Sequence, residues 1–275
     1  MDVYEEIALF FNEPIEEVRQ KCAQSYFRLN KLWEEANPSS EQDRILWYRT
    51  TDAHIYEGAN WHNMHLEVRK RIAGLAYGEI LCFGAGIATE GIMAAEMGKD
   101  VSFYELRGLI SDFLKFRVKL RNLKNVKFID KELIKKEKNS RIYYEGNDFD
   151  TYDTIICIDV LEHLEHPQEV LNFLGKHLSP DGLFLVSSPF SELEYLGHLP
   201  QNRYLDIDLM MKKANIKNYR KEVLCSEKAI GMIPSPGKIF LLNILSILPI
   251  KNLLKHKIIY LLVSIKRRLS NVVIM

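Results

Sequence analysis

The sequence lacks an excess of charge of either sign. Its 37 lysine and arginine residues are balanced by 37 aspartate and glutamate residues, and the formal net charge at pH 7 is zero. Domains that bind nucleic acid through its phosphates usually carry a basic surface and a high pI. We therefore expect no nucleic-acid partner.

Cysteine is also scarce. The four cysteines, Cys22, Cys82, Cys157 and Cys225, are far apart in a chain of 275 residues, and none forms a CxxC pair. This spacing argues against a disulfide framework and favours reduced thiols, as in cytoplasmic proteins. The opening MDVYEEIALFF lacks the basic and small-residue pattern of a secretory signal. We expect a cytoplasmic protein.

Long apolar runs are missing as well. The segments 239–250 and 258–265 are the most apolar, yet both are shorter than the ~20 residues that cross a bilayer. We expect a pair of helices at about 236–268, inserted before a final strand and covering a ligand pocket or a homodimer interface. Because basic residues flank both runs, the alternative is peripheral membrane contact through 239–265.

What the sequence does contain is enough apolar character, 47% of residues, for a sizeable core. The length suits one large α/β domain with an appendage. Residues 1–70 show helical patterns and form the predicted extension, or lid. Asn12 can cap a helix that has Pro14 in its first turn and runs to Ala36. Ser40, followed by Asp43, predicts the start of the next helix.

The segment from His54 to Met64 is aromatic and has no regular pattern. The simpler interpretation is that it packs the extension against the main domain. The functional alternative is a lid in which Trp61 or His62 touches a ligand.

From Gly78 onward, short apolar runs alternate with helical patterns. Five runs predict strands: EILCF, DVSFYE, NVKFID, YDTIICID and LFLVSS. A polar stretch at 131–149 predicts a surface insertion, and Ser-Pro-Asp-Gly at 179–182 predicts a turn before the fifth strand. Alternating strands and helices with continuous apolar strands predict a Rossmann-like, doubly wound α/β sheet.

A Gly84-Ala85-Gly86 loop follows the first strand and opens a helix. Glycines there permit a tight turn and let a ligand approach the backbone. Glu105 ends the second strand about 20 residues later, where an acid can accept hydrogen bonds from ribose hydroxyls. NAD-binding proteins share this geometry, but their third glycine or alanine is replaced here by Thr89.

The run from Tyr152 to Leu164 contains Asp-Val-Leu-Glu-His at the end of the fourth strand. Together with EILCFGAGIATEG, VSFYE and LSPDGLFLVSSP, it resembles the class I S-adenosylmethionine-dependent methyltransferases of small molecules. The resemblance covers roughly residues 78 to 225. It implies a main domain over residues 71–275 and a seven-stranded sheet whose last strand, here 271–275, runs antiparallel.

The resemblance also implies where the cofactor S-adenosylmethionine would bind. Gly84 and Gly86 would lie along its methionine part, Glu105 would hold the ribose, Asp130 would meet the adenine, and Asp159 would lie near the sulfonium. The full predicted cofactor set is Phe83, Gly84, Ala85, Gly86, Glu105, Leu106, Asp130, Asp159 and Val160.

Two positions depart from the family pattern, which usually has an acid where Cys82 stands and a glycine where Ala88 stands. They motivate an alternative in which the chain binds the cofactor as a scaffold without turnover. A third alternative is an NAD-dependent oxidoreductase. The motif set favours methyl transfer to a small-molecule or metabolite-linked acceptor.

The candidate catalytic residues are His163, just beyond the fourth strand, and His198, in the loop after the fifth. Either could deprotonate an acceptor, and either could instead be held by local hydrogen bonds or packing. Asp159, Glu162 and His163 also match the spacing of metal-dependent relatives, whose carboxylate and imidazole ligands suit a divalent ion. Aspartate shortens the reach of the first ligand, and we predict no metal.

Overall fold

The computed structural model describes residues 1–146, 148–190 and 197–220. The chain divides into two compact units, and these residues all belong to the first, Met1–Glu227. The predicted apolar helices at 236–268 and the predicted last strand at 271–275 lie outside the described residues.

The centre of the fold is a six-stranded sheet with the order β3-β2-β1-β6-β7-β8. All of its pairings are parallel. Its strands are β1 Ile80–Phe83, β2 Val101–Tyr104, β3 Val126–Phe128, β6 Tyr152–Ile158, β7 Leu178–Ser187 and β8 Tyr219–Arg220. This arrangement confirms the predicted Rossmann-like α/β fold, with the strand order reversing between β1 and β6.

Four helices accompany this sheet: α7 Thr89–Glu96, α8 Leu109–Leu120, α9 Pro167–His177 and α10 Ile207–Lys213. Short 3₁₀ turns occur at Leu161–His163 and Pro200–Asn202. Every residue of β1 and β2 is buried, as continuous apolar strands covered on both faces must be. The largest core cluster packs these strands against α7, α8 and α9.

The polar stretch predicted as a surface insertion folds into an antiparallel hairpin. Its strands are β4 Ile134–Lys138 and β5 Arg141–Glu145. Asn139 and Ser140, at the turn, both have positive φ angles, of 52° and 57°, which suits a tight two-residue hairpin turn. All of β4 is exposed.

The predicted Ser-Pro-Asp-Gly turn was wrong as a strand boundary. The strand β7 runs through this sequence, and its register against β6 shifts between Tyr152 and Thr154. Between these paired positions, residues 179–182 of β7 lie opposite the single residue Asp153 of β6, an irregularity larger than a one-residue bulge.

Six helices precede β1 in the described part of the chain. They are α1 Val3–Phe11, α2 Ile15–Ala23, α3 Ser25–Ala36, α4 Glu41–Thr50, α5 Ala53–Met64 and α6 Leu66–Leu75. The capping signal of Ser40 and Asp43 is confirmed, since each side chain bonds the other's backbone N–H. None of the helices in the part of the chain described above is long and apolar enough to cross a membrane.

Two expectations for the extension were wrong. Asn12 ends α1 in a left-handed conformation, with φ of 54°, instead of capping the next helix, because asparagine tolerates that conformation at a helix end. The segment expected to be irregular is the regular helix α5. Its buried Ile55, Tyr56 and Ala59 pack against the second core cluster, and this packing overrides weak local periodicity.

A buried ion network joins α1 to the main domain. Glu6 is fully buried and accepts hydrogen bonds from Arg117 Nε at 2.8 Å and Arg121 Nε at 2.6 Å. Arg117 also donates to the carbonyl oxygen of Ile87, in the loop that follows β1. The extension is thereby tied to the backbone of the glycine loop.

Candidate functional site

The glycine loop lies at the carboxyl edge of the sheet, where open α/β sheets bind ligands. Gly84 and Gly86 have φ angles of 63° and 54°, in the left-handed region. A Cβ atom on Gly84 would lie 2.6 Å from Val160 Cγ2, so only glycine fits there. A Cβ atom on Gly86 would meet nothing within 4 Å, so this part of the loop borders open space.

Glu105 follows β2 and is anchored by backbone donors. Its Oε2 accepts from Gly86 N at 2.6 Å and its Oε1 accepts from Leu106 N at 2.9 Å. Burial raises the pKa of this carboxyl, and the two backbone hydrogen bonds oppose that rise. Each oxygen keeps further acceptor capacity. The structure thus brings the predicted Glu105, Gly86 and Leu106 into direct contact.

The neighbouring predicted residues lie around this anchor. The rings of Phe83 and Tyr104 stack, with centroids 4.9 Å apart, and Ala85 N donates to the carbonyl of Tyr104 at 3.1 Å. Asp130 lies two residues beyond β3, where its exposed carboxylate accepts from Lys115 Nζ at 2.8 Å. A small cleft runs from Glu105 to Asp130.

Asp159 follows β6 with φ of 55°, an uncommon conformation for a residue with a side chain. Its Oδ2 accepts from Trp61 Nε1 at 3.3 Å and from Arg69 Nη2 at 3.4 Å. Its Oδ1 is buried and has no hydrogen-bond partner among the residues in the described ranges. Trp61 therefore contacts the predicted site, and His62 Nδ1 lies 2.8 Å from Thr89 Oγ1 at the start of α7.

A buried ion pair stands next to Cys82. Arg69 Nη1 donates to Glu90 Oε2 at 2.9 Å, and both side chains are almost fully buried. Burial raises the pKa of the Cys82 thiol, and the nearby charge of Glu90 raises it further. The acid that the family pattern places at Cys82 is thus absent from β1, but a carboxylate from α7 lies close to that position. Ala88 adopts a left-handed φ of 54°.

The two candidate bases lie together. The rings of His163 and His198 are 4.9 Å apart, and His198 Nε2 lies 3.9 Å from Glu162 Oε1. His163 Nδ1 is 3.0 Å from the Tyr48 hydroxyl and 2.9 Å from the Gly197 carbonyl oxygen. A proton on Nδ1 satisfies that carbonyl and leaves Nε2 as the basic nitrogen. Burial lowers the pKa of His163 to about 4.

The same cluster is where a cation could be held. Three side chains, those of Glu162, His163 and His198, each offer one ligand atom, and these atoms lie within 4.8 Å of one another. Carboxylate and imidazole suit a divalent ion. Asp159, the first residue of the sequence pattern, is not part of this group, because its carboxylate bonds Trp61 and Arg69 instead. His198, which the spacing pattern did not include, takes part in its place.

Several residues at this edge belong to no sequence motif. Tyr48, His54 and Glu57 come from the extension, and Arg69 from α6. His54 stacks on Tyr48, with ring centroids 4.8 Å apart. Burial lowers the pKa of His54 to about 3. An isolated polar residue in an aromatic segment can be recognised as a site residue only once the packing partner is known.

Comparison with known proteins identifies the family. A family described as a methyltransferase domain matches residues 61–222. The ubiquinone biosynthesis O-methyltransferase of Rickettsia conorii is 28% identical over 99 residues, which cover 32% of this chain and 34% of that protein. The corresponding protein of Rickettsia akari is 27% identical over 121 residues, covering 38% of this chain and 48% of that one. The chain thus spans a third to a half of the length of these curated relatives.

Among solved structures, a putative O-methyltransferase from Nostoc punctiforme PCC 73102 aligns with a TM-score of 0.46 and 12% identity. The alignment covers 70% of this chain and 63% of that one. Proteins this distant need not share a substrate. The family match, by contrast, spans more than half of the chain and includes the glycine loop, Glu105, Asp159 and the histidine pair, and the protein belongs to this methyltransferase domain family.

Proposed function

We propose that this protein transfers a methyl group from S-adenosylmethionine to a small-molecule or metabolite-linked acceptor. The observation that carries the proposal is the anchored carboxylate of Glu105, held by Gly86 N–H and Leu106 N–H beside the glycine loop. Acids in this position accept hydrogen bonds from ribose hydroxyls.

The residues present fit the proposed cofactor. Open space beside Gly86 leaves room for a ligand against the backbone. The buried Oδ1 of Asp159, which lacks a partner in the described part of the chain, suits a donor or a positive charge. We propose that Gly84, Ala85, Gly86 and Phe83 line the methionine part, that Glu105 and Leu106 hold the ribose, and that Asp130 reaches the adenine. Asp159 and Val160 would complete the site.

When bound, S-adenosylmethionine supplies an activated methyl group on a cationic sulfonium, and its product is a neutral thioether. The protein's own residues then orient the acceptor and, where the acceptor requires it, accept a proton. We propose His198 or His163 for that proton. With a pKa of about 4, His163 is a weak base at neutral pH.

Neither alternative function gains support from the family match. The acid of the family pattern is missing at Cys82, but the carboxylate of Glu90, from α7, lies near this thiol. Its presence weakens the reason for expecting a scaffold without turnover. Thr89 begins α7 where the dinucleotide pattern requires glycine or alanine.

Calorimetric titration of the purified protein with S-adenosylmethionine, S-adenosylhomocysteine and NAD tests the cofactor. We expect binding of the first two and no binding of NAD. Binding of NAD alone would overturn the proposal. Transfer of labelled methyl groups to a panel of hydroxyl- and amine-bearing metabolites then tests turnover, and binding without transfer to any acceptor would favour a scaffold.

The remaining expectations belong to the proposal as well. We propose a cytoplasmic enzyme with no nucleic-acid partner, with residues 1–70 as a lid and 71–275 as the methyltransferase domain. Homodimer formation and peripheral membrane contact through 239–265 can be measured by sedimentation and by vesicle co-flotation.

A further inference from the structure

Helix α5 presents three polar side chains at helical spacing, His54, Glu57 and Trp61, which share one face. At one end of this face, His54 stacks on Tyr48, which bonds His163. At the other end, Trp61 donates to Asp159. Glu57 therefore lies between the histidine cluster and the end of β6.

The backbone of α5 rests directly on the glycine loop at this point. A Cβ atom on Gly58, the residue after Glu57, would lie 3.5 Å from the side chain of Ile87. Ile87 and Gly58 are both buried. Glu57 is thus adjacent to the loop that carries the proposed methionine end of the cofactor site.

The carboxyl group of Glu57 interacts with one negative group, Asp159, and one positive group, Arg69. Burial and, next, repulsion from the Asp159 carboxylate raise the pKa of Glu57 to about 7, and Arg69 opposes this rise. Arg69, however, donates to Glu90 at 2.9 Å and to Asp159 at the longer distance of 3.4 Å. Asp159 also keeps a buried oxygen with no hydrogen bond to any residue within 1–146, 148–190 or 197–220. A cationic ligand would relieve this repulsion between two carboxyl groups.

We propose that Glu57 is a specificity-determining residue that acts with Asp159 as an anionic site for the cationic sulfonium of the methyl donor. The product's sulfur is a neutral thioether, so the carboxylates lose their attraction to that atom. The α-ammonium group, which donor and product share, does not distinguish the two, and Glu57 therefore favours donor over product. The inference rests on the proposed function, since it assigns Glu57 a role toward that cofactor.

Calorimetric titration of the full chain at pH 8 with S-adenosylmethionine and S-adenosylhomocysteine tests this role. In the Glu57→Gln variant we expect the affinity for the donor to fall about tenfold and the affinity for the product to change by less than about twofold. A tenfold loss corresponds to one pKa unit of charge interaction. Glu13→Gln is the matched control. Glu13 is another part-buried acid of the extension, and it contacts α5 through the Tyr56 hydroxyl at 3.0 Å. It should leave the ratio of the two affinities unchanged.

Three outcomes would overturn the inference. Equal weakening of both ligands in Glu57→Gln would indicate a packing role, and no weakening of either would indicate no role. A Glu57→Asp variant, which keeps the charge, should retain more donor selectivity than Glu57→Gln, and equal loss in both would contradict a charge effect. A wild-type protein that binds neither ligand would instead refute the proposed function, and this inference with it.

Discussion

The two halves of the site are built in different ways. The half that surrounds Glu105 uses backbone donors from neighbouring loops at the carboxyl ends of β1 and β2. The half that surrounds His163 uses side chains from the extension: Tyr48 contacts His163, 115 residues further along the chain, and His54 stacks on Tyr48. The first half is held mainly by backbone groups at the ends of the strands, whereas the second depends on side chains that the extension supplies.

Replacing Glu6 should have the largest effect, a loss in the free energy of unfolding. The substitution tests whether the buried ion network holds the extension against the sheet domain. Glu6→Ala leaves Arg117 and Arg121 near the interior without their carboxylate, and breaking a buried pair in this way costs about 3–5 kcal/mol. Chemical denaturation measures the loss. Glu35→Ala is the control, because Glu35 and its partner Lys31 are both exposed on α3. A loss below about 1 kcal/mol for Glu6→Ala would show that the network does not hold the extension.

Replacing His198 should separate chemistry from cofactor binding. If His198 accepts the acceptor's proton, His198→Ala should lower turnover by about 10²-fold or more and leave the affinity for S-adenosylmethionine nearly unchanged. Steady-state kinetics with an acceptor found in the metabolite screen, together with calorimetry, gives both quantities. Turnover equal to wild type would remove His198 from the base candidates, and the same loss in His163→Ala alone would assign the role to His163.

Glu105→Ala tests the sheet half of the site. It removes a charged hydrogen-bond partner, so binding of S-adenosylmethionine should weaken by about 1.5–3 kcal/mol. Glu132→Ala is the control, since Glu132 pairs with Arg49 at the surface, where both side chains are exposed. Unchanged affinity in Glu105→Ala would show that the second strand does not carry the ribose site.

Glu57→Gln should stabilise the protein, with the smallest effect of the four. The pKa of Glu57 is raised from 4.5 to about 7 in the folded protein. Above pH 7, Glu57 is therefore ionised in both the folded and the unfolded protein, and the full free-energy cost of holding that charge in the folded protein lowers its stability. Below pH 4.5 both are protonated and the penalty vanishes. A shift of this size corresponds to about 3 kcal/mol, but burial of the glutamine amide offsets part of it, so we expect a gain on the order of 1 kcal/mol at pH 8 that falls as the pH drops from 7 to 5. The difference in melting temperature measures this gain. A lower melting temperature at pH 8 would contradict this charge penalty.

The sequence was informative where local pattern decides structure. The five predicted strands, the glycine loop and Glu105 follow from apolar runs and turns that neighbouring residues determine. The placement of His163 near His198 was not predicted, because it depends on how the loop after β7 returns to the end of β6.

The extension shows the limits of local pattern more clearly. Asn12 is equally suited to the end of one helix or the start of the next, and only the presence of α1 decides between them. Glu57 and Arg69 carry no motif, and their role depends on burial against Asp159. A charged side chain whose partners are distant in the chain has no local pattern that identifies those partners.

The pairing of Glu6 with Arg117 also has a consequence for the order in which the protein folds. The two residues are 111 positions apart in the chain, so this contact closes a long loop and forms late relative to local helices. Because Arg117 also holds the carbonyl of Ile87, the glycine loop reaches its final conformation only after this closure. In a chain where Glu6 and Arg117 have not yet paired, the glycine loop would lack this restraint, and ligand binding at the proposed site should appear only once the pairing forms.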